Sequence, residues 1–111
     1  ALVALGASVF ICLSLEYEGD KYVDITRVLS QVIIGIGFIG AGTIMKKGKD
    51  VEGLTTAATI WCSAGIGCLS GFGMFLEVVV VTLLIVVVNY FFGKIEKKIL
   101  KHLDSKKNST D

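Results

Sequence analysis

Apolar residues fall in four long blocks separated by short polar stretches, and none of the blocks alternates with the two-residue period of a half-buried strand. The blocks predict helices over about residues 1–15, 24–45, 54–70 and 74–92. The last runs from Met74 to Phe92 with one charge, Glu77, which is too long and too apolar for an ordinary strand. Between the blocks lie an acidic loop over residues 16–22, the basic glycine-containing loop KKGKDVEG over residues 46–53, and the turn Gly71-Phe72-Gly73. The predicted fold class is all-α: a polytopic transmembrane bundle of about four helices, forming one domain over residues 1–92. The third block, with Thr55, Thr56, Thr59, Ser63 and Ser70, is the least apolar and is expected to be tilted or half-inserted.

Composition strengthens this picture. Of the 111 residues 53% are hydrophobic, there is no proline, and the mean hydropathy is +0.74. The first block spans about 22 Å as a helix against a hydrocarbon core of about 30 Å. No basic segment precedes it and no small-x-small cleavage site follows, so it is expected to be a transmembrane helix cut short at Ala1, with residues upstream missing.

The distribution of charge gives an orientation. Lys46, Lys47 and Lys49 follow the second block; Lys94, Lys97, Lys98, Lys101, Lys106 and Lys107 follow the fourth. With four alternating spans these nine of the eleven cationic residues lie on one side, which the positive-inside rule makes cytoplasmic, the C-terminus included. The tail over residues 93–111 repeats Ile95, Ile99 and Leu103 between its lysines. It reads either as an amphipathic helix lying on an anionic membrane surface or as a solvated continuation of the fourth helix. Tyr90, Phe91 and Phe92 suit an interfacial aromatic belt.

The segment QVIIGIGFIGAG over residues 31–42 contains Gly35, Gly37 and Gly40 in the spacing GxGxxG. A dinucleotide site needs a strand before that turn, a long helix after it and an acidic residue about 20 positions on. Here Gly42 is followed by three residues and a lysine-rich loop, so the dinucleotide reading fails. As a helix, Gly35 and Gly42 share one face, and Ser30, Gly37 and Ala41 lie nearly opposite, with Gly40 to one side. Two small-residue faces admit two neighbouring helices at close range, which places the second helix at the centre of the bundle. The same glycines would also suit a narrow path for an ion or water.

Asp24, Arg27 and Gln31 form a polar stripe on that helix which continues to Gly35 and Gly42. Its simplest reading is an Asp24–Arg27 pair at the helix start, with a local hydrogen bond from Thr26. Its functional reading is the polar entry to a cleft, where Asp24 and Glu77 would hold a weakly bound, mostly hydrated Mg2+; no other cofactor is expected. Trp61 is expected to pack on the second helix with its N–H on a hydroxyl. Cys12, Cys62 and Cys68 have no zinc spacing with His102 and read as small apolar fillers. No Ser/His/Asp set or metal cluster is present in the sequence, so an enzyme is not expected. Lysines beside a membrane, without arginine or stacking aromatics in the tail, argue against nucleic acid.

Three stretches carry a resemblance to a known family: ALVALGASVF (residues 1–10), DITRVLSQVIIGIGFIGAGTIM (24–45) and VEGLTTAATIWCSAGIG (51–67). In this order and spacing the chain resembles the MgtC/SapB family of bacterial membrane proteins over residues 1–92. The motif residues are Asp24, Arg27, Gln31, Gly35, Gly37, Gly40, Gly42, Thr55, Thr56, Trp61 and Cys62. The family pattern usually has proline after the aspartate, where this chain has Ile25. The resemblance implies a multi-pass protein of the bacterial inner membrane, linked to growth in low magnesium and to virulence. It also implies a first helix upstream of Ala1, and a role in regulating other membrane complexes, including the F-type ATP synthase. The expected partners are the lipid bilayer and either further copies of the chain or another membrane complex. The alternative is a small Mg2+ or other ion transporter lined by Asp24, Arg27, Gln31 and Glu77.

Overall fold

The computed structural model describes residues 1–109; the last two residues of the basic tail, Thr110 and Asp111, lie outside it. Four helices dominate: α1 (Leu2–Glu16), α2 (Ile25–Gly42), α3 (Leu54–Gly71) and α4 (Phe75–Asn108). A two-stranded antiparallel hairpin, β1 (Met45–Lys47) and β2 (Asp50–Glu52), joins α2 to α3. The chain divides into two units, Ala1–Val79 and Val80–Asp111. Helices α2 and α4 are long and apolar enough to cross a membrane, while α1 is a shorter apolar helix.

In the first unit α3 packs against both α1 and α2. It takes the central position that the glycine count had given to α2. The reason is where the small residues of α3 fall. At Gly67 the backbone of α1 comes so close that a Cβ would lie 2.8 Å from both Cα and C of Ala4. One turn later, a Cβ on Gly71 would lie 2.7 Å from Cβ of Ile11 and 2.9 Å from the Ser8 carbonyl oxygen. Only hydrogen fits in either place, and the spacing is Gly-x-x-x-Gly, which lets helix backbones approach. Ile11 is completely buried there, with Ala7, Ala64 and Cys68 around it.

These pairings also fix direction. Ala4 meets Gly67 and Ile11 meets Gly71, so α1 and α3 run parallel. Gly40, late in α2, meets Ala57, early in α3, whereas Leu29, early in α2, shares a crevice with Ala64 and Cys68, late in α3. Helix α2 therefore runs antiparallel to the other two. Two hydroxyls of α3 return to its own backbone: Thr59 Oγ1 donates to the Thr55 carbonyl and Ser63 Oγ to the Thr59 carbonyl, both at 2.8 Å. Its small residues Ala57, Ala64, Gly67 and Gly71 are what let α2 and α1 pack against it.

The 46–53 stretch, read from sequence as a loop, is the hairpin. Its register pairs Lys46 with Val51 and Lys47 with Asp50, and Lys47 Nζ reaches Glu52 at 2.7 Å. Gly48, at φ +64, makes the tight reversal. Gly53, at φ +88, starts α3 where a Cβ would press on the carbonyl of Thr43. After α3, the single positive φ of Gly73, +76, turns the chain into α4. That helix is continuous through Gly93 to Asn108.

Candidate functional site

Helix α2 begins with Asp24 in an extended conformation, its carboxylate accepting from the Thr26 amide at 2.9 Å and the Thr26 hydroxyl at 2.6 Å. This is an N-cap: it satisfies a donor that the first turn leaves without a helical partner. The Thr26 hydroxyl and amide bonds hold the Asp24 carboxyl below the usual carboxylate range, with smaller help from Arg27. The expected Asp24–Arg27 ion pair is absent among the described residues, because Thr26, two positions away, takes the carboxylate first.

From the cap the stripe runs along α2 into a cleft of about 360 Å³ between α1 and α2. Val28, Gln31, Val32 and Gly35 line one wall; Gly6 and Phe10 contribute from the other. Gln31 is the one polar side chain in the lining. Asp24, Arg27 and Gln31 are all exposed along this line.

The glycines of α2 divide sharply. Gly40 is buried, and a Cβ there would make ordinary contact with Ala57, 3.7 Å from its Cβ. Gly35, Gly37 and Gly42 are exposed, with open space where a Cβ would stand. The chain's own packing therefore uses one of the four.

The remaining motif residues sit on α3. Thr55 and Thr56 line a shallow cleft with Ala1, Val3, Thr59, Ile60 and Ser63, at the start of α1 and α3. Trp61 lies in the α2–α3 crevice beside Leu29, Ile33 and Ile36, as expected, yet stays 54% exposed. Among the described residues its indole N–H donates to no hydroxyl: Thr59 and Ser63 have turned back to their own helix. Cys62 is half-buried and Cys68 buried; Cys12 is exposed with Sγ 3.7 Å from the Gly71 carbonyl oxygen.

Asp24 and Glu77 stand at the starts of α2 and α4, both exposed. Among the described residues no three or more His, Cys, Asp or Glu side chains gather as a metal cluster. Sequence reasoning missed Gly67 and Gly71 as the closest packing site. The Gly-x-x-x-Gly signal was there, but placing the end of the third helix at Ser70 assigned Gly71 to the turn.

Known proteins are similar to this chain over most of its length. The profile of the MgtC family matches residues 1–98. The chain is 46% identical to Protein MgtC of Salmonella typhimurium over 99 residues, covering 89% of this chain and 42% of that protein. It is 49% identical to Protein MgtC of Brucella abortus over 88 residues, covering 79% of this chain and 36% of that protein. The chain thus spans less than half the length of these relatives. No solved structure matches it.

Proposed function

The chain belongs to the MgtC family, and from that premise we propose that it is a non-enzymatic, multi-pass protein of the bacterial inner membrane. It acts by helix association with further copies of itself or with another membrane complex, in adaptation to low Mg2+ or envelope stress. The observation that carries this reading is the exposed glycines of α2, Gly35 and Gly42 on one face and Gly37 nearly opposite. Gly35, Gly37 and Gly42 cost helix propensity, about 1 kcal/mol each relative to alanine. Among the described residues, no atom outside their own helix backbone lies within 4 Å of where their Cβ would stand. Glycine in an apolar helix is well used where another helix comes close. The antiparallel course of α2 relative to α1 and α3 also suits alternate crossings of a bilayer.

A second reading, ion transport, is favoured by the cleft beside Gln31 and Gly35, which continues the line of Asp24 and Arg27. One pair of measurements separates the two. Gly37→Leu meets open space in the chain's own fold, so it should fold normally and reduce cross-linking between copies or to a partner in membranes at least several-fold. Unchanged cross-linking would sink the association reading. Saturable Mg2+ flux into liposomes, lost in Asp24→Asn, would put transport in its place.

A further inference from the structure

Helix α4 is longer than a bilayer is thick. Its 34 residues measure about 51 Å at 1.5 Å per residue, against a hydrocarbon core of about 30 Å. Charge shows which part is left over. No Asp, Glu, Lys or Arg occurs from Val78 to Gly93, whereas Lys94, Lys97, Lys98 and Lys101 follow at once. The boundary between the two parts is marked by aromatic residues. Lys94 Nζ lies 5.8 Å from the centre of the Tyr90 ring, and Tyr90 meets Phe91 edge-on at 6.2 Å. Rings of this kind favour the depth of the lipid headgroups.

Past that boundary the helix is two-sided. At 100° per residue, Ile95, Ile99, Leu103 and Leu100 fall within an arc of about 140°. The lysines at 94, 97, 98 and 101 fall within an arc of about 100° centred nearly opposite. Glu96 is the one acid inside the apolar arc. Among the described residues the unit that begins at Val80 is this helix and Ser109, so no second element described in it covers the apolar side. Gly93 stands at the junction, with open space where a Cβ would be, and lowers helix propensity there relative to alanine.

We propose that Lys94–Leu103 is a binding site for anionic phospholipid: the apolar arc seats at the boundary of acyl chains and headgroups, and the lysines engage the phosphates. Charge complementarity names the occupant. A soluble polyanion would satisfy the lysines and leave Ile95, Ile99 and Leu103 in water, whereas an anionic lipid surface meets both faces and begins where the uncharged run ends. The site requires that α4 cross a membrane; it is independent of any association through α2.

The test uses the full chain carrying Trp61→Phe and Leu103→Trp, which leaves one indole, at the middle of the apolar arc. The protein is reconstituted in vesicles of phosphatidylcholine alone or mixed with phosphatidylglycerol, with lipids brominated near the top of their acyl chains. Quenching of that indole should be several-fold stronger in the anionic vesicles and should fall when Lys94, Lys97, Lys98 and Lys101 are replaced by Gln or when salt is raised. Far-UV circular dichroism of the lysine-free variant checks that the helix persists, and loss of helix would itself contradict a role for these lysines confined to lipid. Equal quenching in both vesicles, or none in either, would overturn the proposal. So would an indole shielded from aqueous iodide and untouched by brominated lipid, because protein would then be covering the arc.

Discussion

At the scale of single residues, glycine does two different jobs in this chain, and residue counts cannot tell them apart. Gly67 and Gly71 are filled against by Ala4, Ser8 and Ile11; Gly35, Gly37 and Gly42 face open space. A leucine at Gly67 has no rotamer that avoids the Ala4 backbone, and backbone cannot step aside as a flexible side chain does. Overpacking of this kind costs typically 1–3 kcal/mol and more when backbone is struck, so Gly67→Leu should lower stability in detergent by at least about 3 kcal/mol. The same substitution at Gly37 should leave it within about 1 kcal/mol of the parent, because leucine is the better helix former. Thermal unfolding of the two variants side by side checks this, and equal losses would contradict the assignment. The sequence showed where glycine is dense but not which glycines are used. The closest pair was hidden because Gly71 looks like turn, next to Phe72-Gly73, and only the φ of Gly73 reveals that the turn comes later.

At the scale of elements, the helices were legible and the connection between α2 and α3 was not. Blocks of fifteen or more apolar residues leave little choice but helix. KKGKDVEG offers no such pattern, since Val51 is its one apolar member. Its strands are three residues long and exposed, held by register, the Gly48 turn and the Lys47–Glu52 pair. The start of α2 was half legible: an acid at the helix entry and its hydrogen bond from Thr26 were plain, but the expected ion pair with Arg27 does not form among the described residues. That geometry has a consequence for pH. The Asp24 carboxyl is depressed by the Thr26 bonds, so its contribution to the helix start is fully present above the unfolded aspartate value of about 3.9 and is lost as pH falls through the lower folded value. Amide hydrogen exchange at Thr26 should be slow at neutral pH and quicken relative to the intrinsic rate in that acid window. In Asp24→Asn, which keeps a capping oxygen, the extra acid sensitivity should vanish. Asp24→Ala should fray the first turn at every pH. If Asp24→Asn frays as Asp24→Ala does, the charge rather than the cap holds this turn.

At the scale of the whole molecule, the directions of α1, α2 and α3 make a claim about sidedness that charge counting alone could not. The sequence placed basic residues on one side by assuming that every block crosses. The first unit supplies a geometric reason instead: α1 and α3 run parallel and α2 antiparallel, so the α1–α2 connection and the hairpin lie at opposite ends of the unit. Lys21 belongs to the first connection and Lys49 to the second. With Cys12, Cys62 and Cys68 replaced by alanine, single cysteines at these two sites should react with a membrane-impermeant maleimide from opposite faces of the membrane. Lys49→Cys should label in inside-out vesicles and Lys21→Cys in right-side-out cells, each at least several-fold over the reverse. Labelling of both from the same face would mean that the three helices do not cross individually and that the packed unit lies along the membrane. In that case α2 would present its glycines to the interface rather than to a neighbour within the bilayer, and the association reading would lose its physical basis. Opposite labelling would put α2 across the bilayer, where its exposed glycines can meet a second helix, and would leave Gly37→Leu cross-linking and Mg2+ flux to separate association from transport.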